Sequence, residues 1–122
     1  MAIKTTQGKV LDAYAALNRI RQRVKGHDAL HLFHMKNKLQ ENIDFQTEEE
    51  KKLVDEYGGV ITEAGQVLID DKEKRLAFRE EYRKLNEMEC EVDTEVLVLN
   101  LDRNPEITLE DIEQLSGFID FK

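Results

Sequence analysis

The spacing of apolar residues does most to restrict the fold of this chain. Between Thr6 and Lys25 they recur at steps of three and four residues, which places them along one face of a helix. The residues are Val10, Ala13, Tyr14, Leu17, Ile20 and Val24. One proline and six glycines among 122 residues leave little material for long loops. The sequence therefore predicts a mostly helical protein whose first helix runs from about Thr6 to Lys25.

A second helix is predicted directly after the first. Gly26 suits the left-handed stop of the first helix, and Asp28 can cap a helix from about Ala29 to Asn42. Its apolar stripe consists of Leu32, the stem of Lys36, Leu39 and Ile43. Because the link is short, the two helices are expected to form an antiparallel hairpin over about residues 6–45.

The rest of the chain, residues 46–122, is predicted to be an α/β portion of the same single domain, 1–122. Thr47 and Glu50 have the spacing of a capping box, which indicates a third helix that ends at Gly58–Gly59. Two short β-branched runs then flank a turn that contains Gly65. This pattern predicts a β-hairpin at 60–69, because glycine can take the positive φ of the turn.

A fourth helix and a strand are predicted next. Asp70 or Asp71 can cap the helix, and its stripe comprises Phe78, Tyr82, Leu85 and Met88, with Leu76 near its start. The strand at 91–101 is apolar on both faces from Val96 to Leu99, so we expect other elements to cover it on both sides. The overall expectation is an α+β fold, mostly helical, with the N-terminal helical hairpin and further helices packed on a small two- or three-stranded sheet.

The segment from Asp102 to Glu113 has two interpretations. Oxygen-bearing side chains fall at positions one, three, five, seven, nine and twelve, as in a calcium-binding loop. Ile107, however, stands where such a loop needs glycine, and Pro105 stiffens its start. The favoured interpretation is a turn at Asn104–Pro105 followed by a short helix. Thr108 and Asp111 cap this helix, and Gly117 ends it. The apolar tail, Phe118, Ile119 and Phe121, is then expected to pack against the core.

All three histidines fall in one stretch, Gly26–Lys36. Steps of four and three residues put His27, His31 and His34 on one helix face, roughly opposite Leu32 and Leu39. A pair of histidines four residues apart can bind zinc or nickel, but a tetrahedral site needs more ligands than one face supplies. We therefore expect these side chains to face water or a partner and to bind no metal.

Composition narrows the classes of function. The net charge of −8 opposes binding to nucleic acid phosphates. No apolar run is long enough to cross a membrane, and the start of the chain lacks the apolar core of a signal peptide. The lone Cys90 excludes an internal disulfide and fits the cytoplasm. Phosphate-binding, nucleophile and CxxC motifs are absent from the sequence, so we predict neither an enzyme nor a bound cofactor.

The order of segments resembles that of a known group of proteins. A helix ending in "VKG" precedes the basic "ALHLFHMKNKLQE", the acidic "EEEKKLVDEYG", a short hairpin, and "FREEYRKLNEMECEV" leading into a strand. This layout, over Val10–Val98, resembles an uncharacterised family of short proteins encoded by tailed phages and prophages of Gram-positive bacteria. In that family we would expect arginines where this chain has its histidines. The resemblance implies a small accessory protein that acts in the host cytoplasm by binding another protein or itself.

These observations lead to one function hypothesis and two alternatives. The leading hypothesis is a non-enzymatic protein-interaction module that binds another protein or forms a homo-oligomer. Its expected surface comprises His27, Leu30, His31, Phe33 and His34. One alternative is a metal-binding protein that uses His27, His31 and His34. The other is an acidic inhibitor of a host protein that presents Glu80–Glu95, although Arg83 and Lys84 interrupt this acidic run.

Overall fold

The structure, a computed structural model that describes residues 2–122, is a mostly helical α+β fold. The predicted fold class is confirmed, but the strands form three separate two-stranded sheets. The elements in order are β1 (Ile3–Thr6), α1 (Gln7–Ile20), α2 (Gly26–Glu56), β2 (Val60–Ile61), β3 (Val67–Leu68), α3 (Lys72–Glu87), β4 (Glu89–Val92), β5 (Leu97–Leu99), α4 (Leu109–Gln114) and β6 (Ile119–Phe121).

The main core lies between α1 and the first half of α2. The predicted apolar stripe of α1 is buried there, and the Tyr14 hydroxyl donates a hydrogen bond to Gln40 Oε1 at 2.7 Å, which ties the two helices together. The C-terminal part of the chain closes this core with Val92, Leu99, Leu115, Phe118 and Ile119. The tail therefore packs against the helical hairpin, as its apolar residues predict.

The predicted break between the second and third helices is wrong. α2 is one helix of 31 residues, and the proposed boundary at residues 45/46 lies inside it. The Thr47 hydroxyl donates to the Ile43 carbonyl oxygen at 3.0 Å, so Thr47 is an interior helical residue that bonds back to the preceding turn. An S/T-x-x-E spacing is compatible with both a cap and a helix interior, and the sequence alone did not distinguish them.

The ends of the first two helices also differ from the prediction. α1 ends at Ile20, and the turn at residues 21–23 follows it. Gly26 has the expected positive φ of +66°, but it begins α2 and does not end α1. Lys25 is the N-cap residue of α2, without a side-chain cap, whereas the Asp28 carboxylate accepts a hydrogen bond from Asn104.

A second, smaller core lies farther along α2. It contains Val54, Ile69 and Phe78, with Leu53, Tyr57, Val67 and Tyr82 packed around them. The second half of α2, the β2–β3 hairpin and the first half of α3 form it, and we call this unit the arm.

Two predictions for this part of the chain are confirmed. The β2–β3 hairpin is present, with its turn at Gly65 (φ +82°). Asp71 caps α3, and its side chain accepts a hydrogen bond from the Lys74 amide.

The strand predicted at 91–101 is two strands. β4 pairs antiparallel with β1, from Ile3 opposite Val92 to Thr6 opposite Glu89. β5 pairs parallel with β6, from Leu97 opposite Ile119 to Leu99 opposite Phe121. Neither β1 nor β6 was predicted, because each is short and its partner is distant in sequence.

The expectation that Val96–Leu99 is covered on both faces is also wrong. Leu99 is buried and Leu97 half-buried, whereas Val96 is exposed and Val98 keeps 56% of its surface exposed. Among the described residues, β6 is the one strand that pairs with β5. β5 therefore presents alternate side chains to the core and to water.

We expect Val98→Asp to fold and to remain soluble. The new carboxylate stays in water, so the cost is limited to the lower strand propensity of aspartate, about 1 kcal/mol. Urea unfolding followed by circular dichroism measures this cost. Leu99→Asp is the matched variant, and we expect it to be insoluble or to lose several kcal/mol because its charge is buried. Insoluble Val98→Asp protein would contradict the exposed position of Val98.

Within residues 2–122, no helix combines the length and the apolar character that crossing a membrane requires. α2 has the length, but charged residues recur along it.

Candidate interaction surface

The three histidines lie on the side of α2 that faces away from both cores. His27, His31 and His34 are exposed, whereas Leu32 and Leu39 are buried, as the helical periodicity predicts. The structure thus brings together all five residues of the predicted surface on the first turns of α2. We call this surface the histidine face, and it consists of His27, Leu30, His31, Phe33 and His34.

Two large apolar side chains belong to the histidine face. Leu30 is 49% exposed and Phe33 is 48% exposed, and they are neighbours one helical turn apart. The Phe33 ring also lies beside the His34 imidazole, with ring centroids 5.8 Å apart and planes tilted by 58°. Complete burial of a leucine or phenylalanine contributes about 1.5–3 kcal/mol, so each of these two side chains retains roughly half of that free energy for a contact.

The ligand set for a metal ion is incomplete. No group of three or more histidine, cysteine, aspartate or glutamate side chains in the part of the chain from residue 2 onward is arranged to hold a metal ion. The histidines project from one helix into water, and a structural zinc site takes four ligands from more than one direction. The arrangement therefore provides an imidazole-rich surface that a second molecule can contact.

A basic cleft of about 570 Å³ adjoins the histidine face. Arg23 and Lys25 reach it from the α1–α2 connection, and Arg103 reaches it from the loop that precedes α4. The other lining residues are Gln22, His27, Asp28, Asn104, Pro105 and Glu106. Arg23 and Lys25 are neighbours in the sequence, whereas Arg103 was not predicted to join them, because only the fold brings residue 103 to α2.

Asp111 fixes α4 against the end of α1. The residue is 1% exposed, and its Oδ1 accepts hydrogen bonds from Arg19 Nη2 at 3.1 Å and Nε at 3.3 Å. Its Oδ2 accepts from Arg23 Nη1 at 3.0 Å and from the Thr108 amide at 3.1 Å. Thr108 Oγ1 accepts from the Asp111 amide in return, which completes the predicted capping box.

The environment of Asp111 keeps its carboxyl group ionised. Burial by itself raises the pKa of Asp111, but the hydrogen bonds with Thr108 and the pairing with Arg19 outweigh it, so that the pKa is lowered. Both arginine side chains remain about one-third exposed. The cluster is therefore a partly buried ion-pair network that stabilises the fold beside the basic cleft. The sequence indicated Asp111 only as a capping residue.

The loop between β5 and α4 is held by Asn104. Its side-chain amide donates to Asp28 Oδ2 at 3.2 Å and to the Asn100 carbonyl oxygen at 2.8 Å, and the residue is buried. The Asn104 amide thus connects the loop to the first turn of α2. Together with the Thr108 capping box, these bonds confirm the interpretation of this segment as a turn followed by a capped helix.

The acidic run at Glu80–Glu95 is divided among α3, β4 and the connection that follows β4. On α3, Arg83 pairs with Glu80 and with Glu87 at 2.6 Å each. The Arg83 guanidinium lowers the pKa of Glu80 through its hydrogen bond and its charge. Lys84 pairs with Glu81 at 3.3 Å. Much of the negative charge on this surface of α3 is therefore balanced by basic side chains one turn away, which disfavours the alternative of an acidic inhibitor that presents this surface.

Comparisons with known proteins add no identification, since no protein-family model, curated protein or solved structure matches this chain.

Proposed function

We propose that this protein is a non-enzymatic interaction module that binds another protein chain through the histidine face. One observation carries the proposal: Leu30 and Phe33 are half exposed beside each other on one helix face and belong to neither of the two cores. Burial of this pair by a partner removes apolar surface from water, and the surrounding imidazoles can donate or accept hydrogen bonds at the rim.

Two features support a role without catalysis. Burial raises the pKa of the Cys90 thiol, which disfavours the reactive thiolate at neutral pH. The buried carboxylate of Asp111 already accepts hydrogen bonds from two arginines and a backbone amide. These bonds stabilise the fold and occupy the oxygens that a catalytic acid or base would need.

The proposed setting is a phage or prophage accessory protein in the host cytoplasm. The resemblance in segment order to short phage proteins supports this setting, and so does the use of a single cysteine. The neighbouring genes provide a direct test: a head or tail cassette favours a role in assembly, and a cluster of early genes favours inhibition of a host protein.

Site-specific photo-crosslinking tests the interaction proposal. The photoreactive amino acid p-benzoylphenylalanine replaces Phe33 in the full chain, which is expressed in cells that carry its gene naturally. We expect a discrete crosslinked product whose second chain is identified by mass spectrometry. The matched control places the same amino acid at Leu76, which is equally exposed, but on α3. We expect no discrete product from the control position.

The outcome at Phe33 decides the proposal. A product that contains a different protein or a second copy of this chain supports an interaction module. The absence of a product at Phe33, or the same products from Phe33 and Leu76, would overturn the histidine face as the contact surface.

A further inference from the structure

The exposed face of α2 changes the sign of its charge along its length. His27, His34, Glu41 and Glu48 follow one another at seven-residue steps, which keeps them on one line along the helix. His31 and Asp44 lie beside this line, one in each half. All of these side chains are exposed. The first half of the line therefore carries imidazoles, and the second half carries carboxylates.

This line is complementary to itself when two copies run in opposite directions. We place the two-fold axis at the level between Asn37 and Lys38. A residue of one copy then lies at the same height as the residue of the other copy whose number brings the sum to 75. His34 then lies opposite Glu41, and His27 lies opposite Glu48, both close to the contact line. The same register brings Leu30 opposite Phe45, two exposed apolar side chains, so that polar and apolar positions match at once.

We propose that α2 pairs antiparallel with α2 of a second copy of this chain along this line. The proposal rests on the interaction module described above and names its partner. A parallel arrangement would place histidines against histidines and carboxylates against carboxylates. A partner surface of a single charge sign would favour one half of the line and be repelled by the other half once the histidines are protonated. A second copy matches both halves.

The surroundings of the histidines leave them open to such a partner. His31 and His34 project from α2, and the packed residues of α1 and α3 lie on the opposite side of that helix. The charged side chains one turn away along α2 are Asp28, which precedes His31, and Lys38, which follows His34. His27 also lines the basic cleft, where the charged groups around it are Arg23, Lys25, Asp28, Arg103 and Glu106. Histidine is the side chain that gains its charge between about pH 8 and pH 5, whereas glutamate and aspartate remain ionised there. Pairing is therefore stronger at the acidic end of this range.

Sedimentation velocity of the full chain at pH 6 and pH 8, up to 500 µM, measures the pairing. We expect the mass to rise from 14.2 kDa toward twice that value, with a dissociation constant about tenfold lower at pH 6, since several exposed ion pairs each add a small increment. Protein that stays monomeric at both pH values would overturn the proposal, and so would tighter association at pH 8.

Charge exchange between two variants tests the antiparallel match. Glu41→Lys with Glu48→Lys makes the whole line basic, and His27→Glu with His34→Glu makes it acidic. We expect each variant alone to associate at least tenfold more weakly than the original chain at pH 6, and an equimolar mixture to form a heterodimer. The control variant, Glu63→Lys with Glu73→Lys, changes the net charge by the same amount as Glu41→Lys with Glu48→Lys, but at exposed positions outside α2, and we expect it to dimerise normally.

Failure of this proposal is distinguishable from failure of the interaction module. A monomeric chain whose Phe33 position still crosslinks to a different protein would remove self-pairing and leave the module intact. If the control variant lost association as strongly as the line variants, or if the two line variants failed to form a heterodimer, the pairing of α2 with α2 would be wrong.

Discussion

Phe118→Ala is expected to lower the free energy of unfolding by about 3–5 kcal/mol, the range for deleting a fully buried phenylalanine. Phe118 is 1% exposed and lies where the C-terminal segment closes the main core. Its loss removes apolar contacts and leaves a cavity that the surrounding residues of the closely packed core fill only in part. Urea unfolding at pH 7, followed by circular dichroism, gives the difference directly.

Phe45→Ala is the matched control for Phe118, because it removes the same side chain from an exposed position on α2. We expect its cost to be about 1–2 kcal/mol, clearly below that of Phe118→Ala, because Phe45 keeps 39% of its surface exposed. Equal losses for the two variants would contradict the central position of Phe118 in the core.

Asp111→Ala is expected to destabilise the protein by about 2–3 kcal/mol. Loss of the capping box accounts for about 1 kcal/mol. The rest comes from two arginines that lose their carboxylate partner, a contribution that is reduced because both guanidinium groups are about one-third exposed. The same unfolding measurement tests this, with Glu113→Ala as an exposed control on α4. A cost below 0.5 kcal/mol for Asp111→Ala would show that the network does not stabilise the fold.

The pH dependence of Asp111 follows from its lowered pKa. A carboxyl group whose pKa is lower in the folded protein than in the unfolded chain contributes stability above its ordinary value of 3.8, and this contribution is lost as the pH falls through the folded-state pKa. Below about pH 4 the original chain should therefore lose stability more steeply than Asp111→Asn, which has no proton to gain. Parallel stability curves for the two proteins would contradict this assignment.

Local patterns in the sequence predicted local structure well. The Thr108–Asp111 capping box, the Asp71 cap and the Gly65 turn each depend on residues within a few positions of one another, and all three are present. The outward direction of the histidines followed from helical periodicity alone. Such features need no knowledge of distant contacts.

The missed features depend on distant parts of the chain. β1 exists because β4 pairs with it, and Arg103 joins the basic cleft because Asn104 ties its loop to Asp28. Val98 was predicted to be buried because apolar strand residues usually are, but the parallel pairing with β6 leaves the outer side of β5 open. Thr47 was interpreted as a cap because of its spacing to Glu50. Its hydroxyl can also donate backward to a carbonyl oxygen inside a helix, and that is the bond it makes, to Ile43.

The continuity of α2 makes it a spacer of defined length. Its 31 residues rise about 1.5 Å each, so its two ends lie roughly 45 Å apart. The main core holds one end and the arm holds the other, and a single helix without a break joins them. A small globular partner on the histidine face therefore leaves the exposed Val60–Leu68 pair at the hairpin free. Shortening or lengthening α2 by whole turns, with matching changes in α3, would change this separation in steps of about 5.4 Å while preserving the orientation of each end.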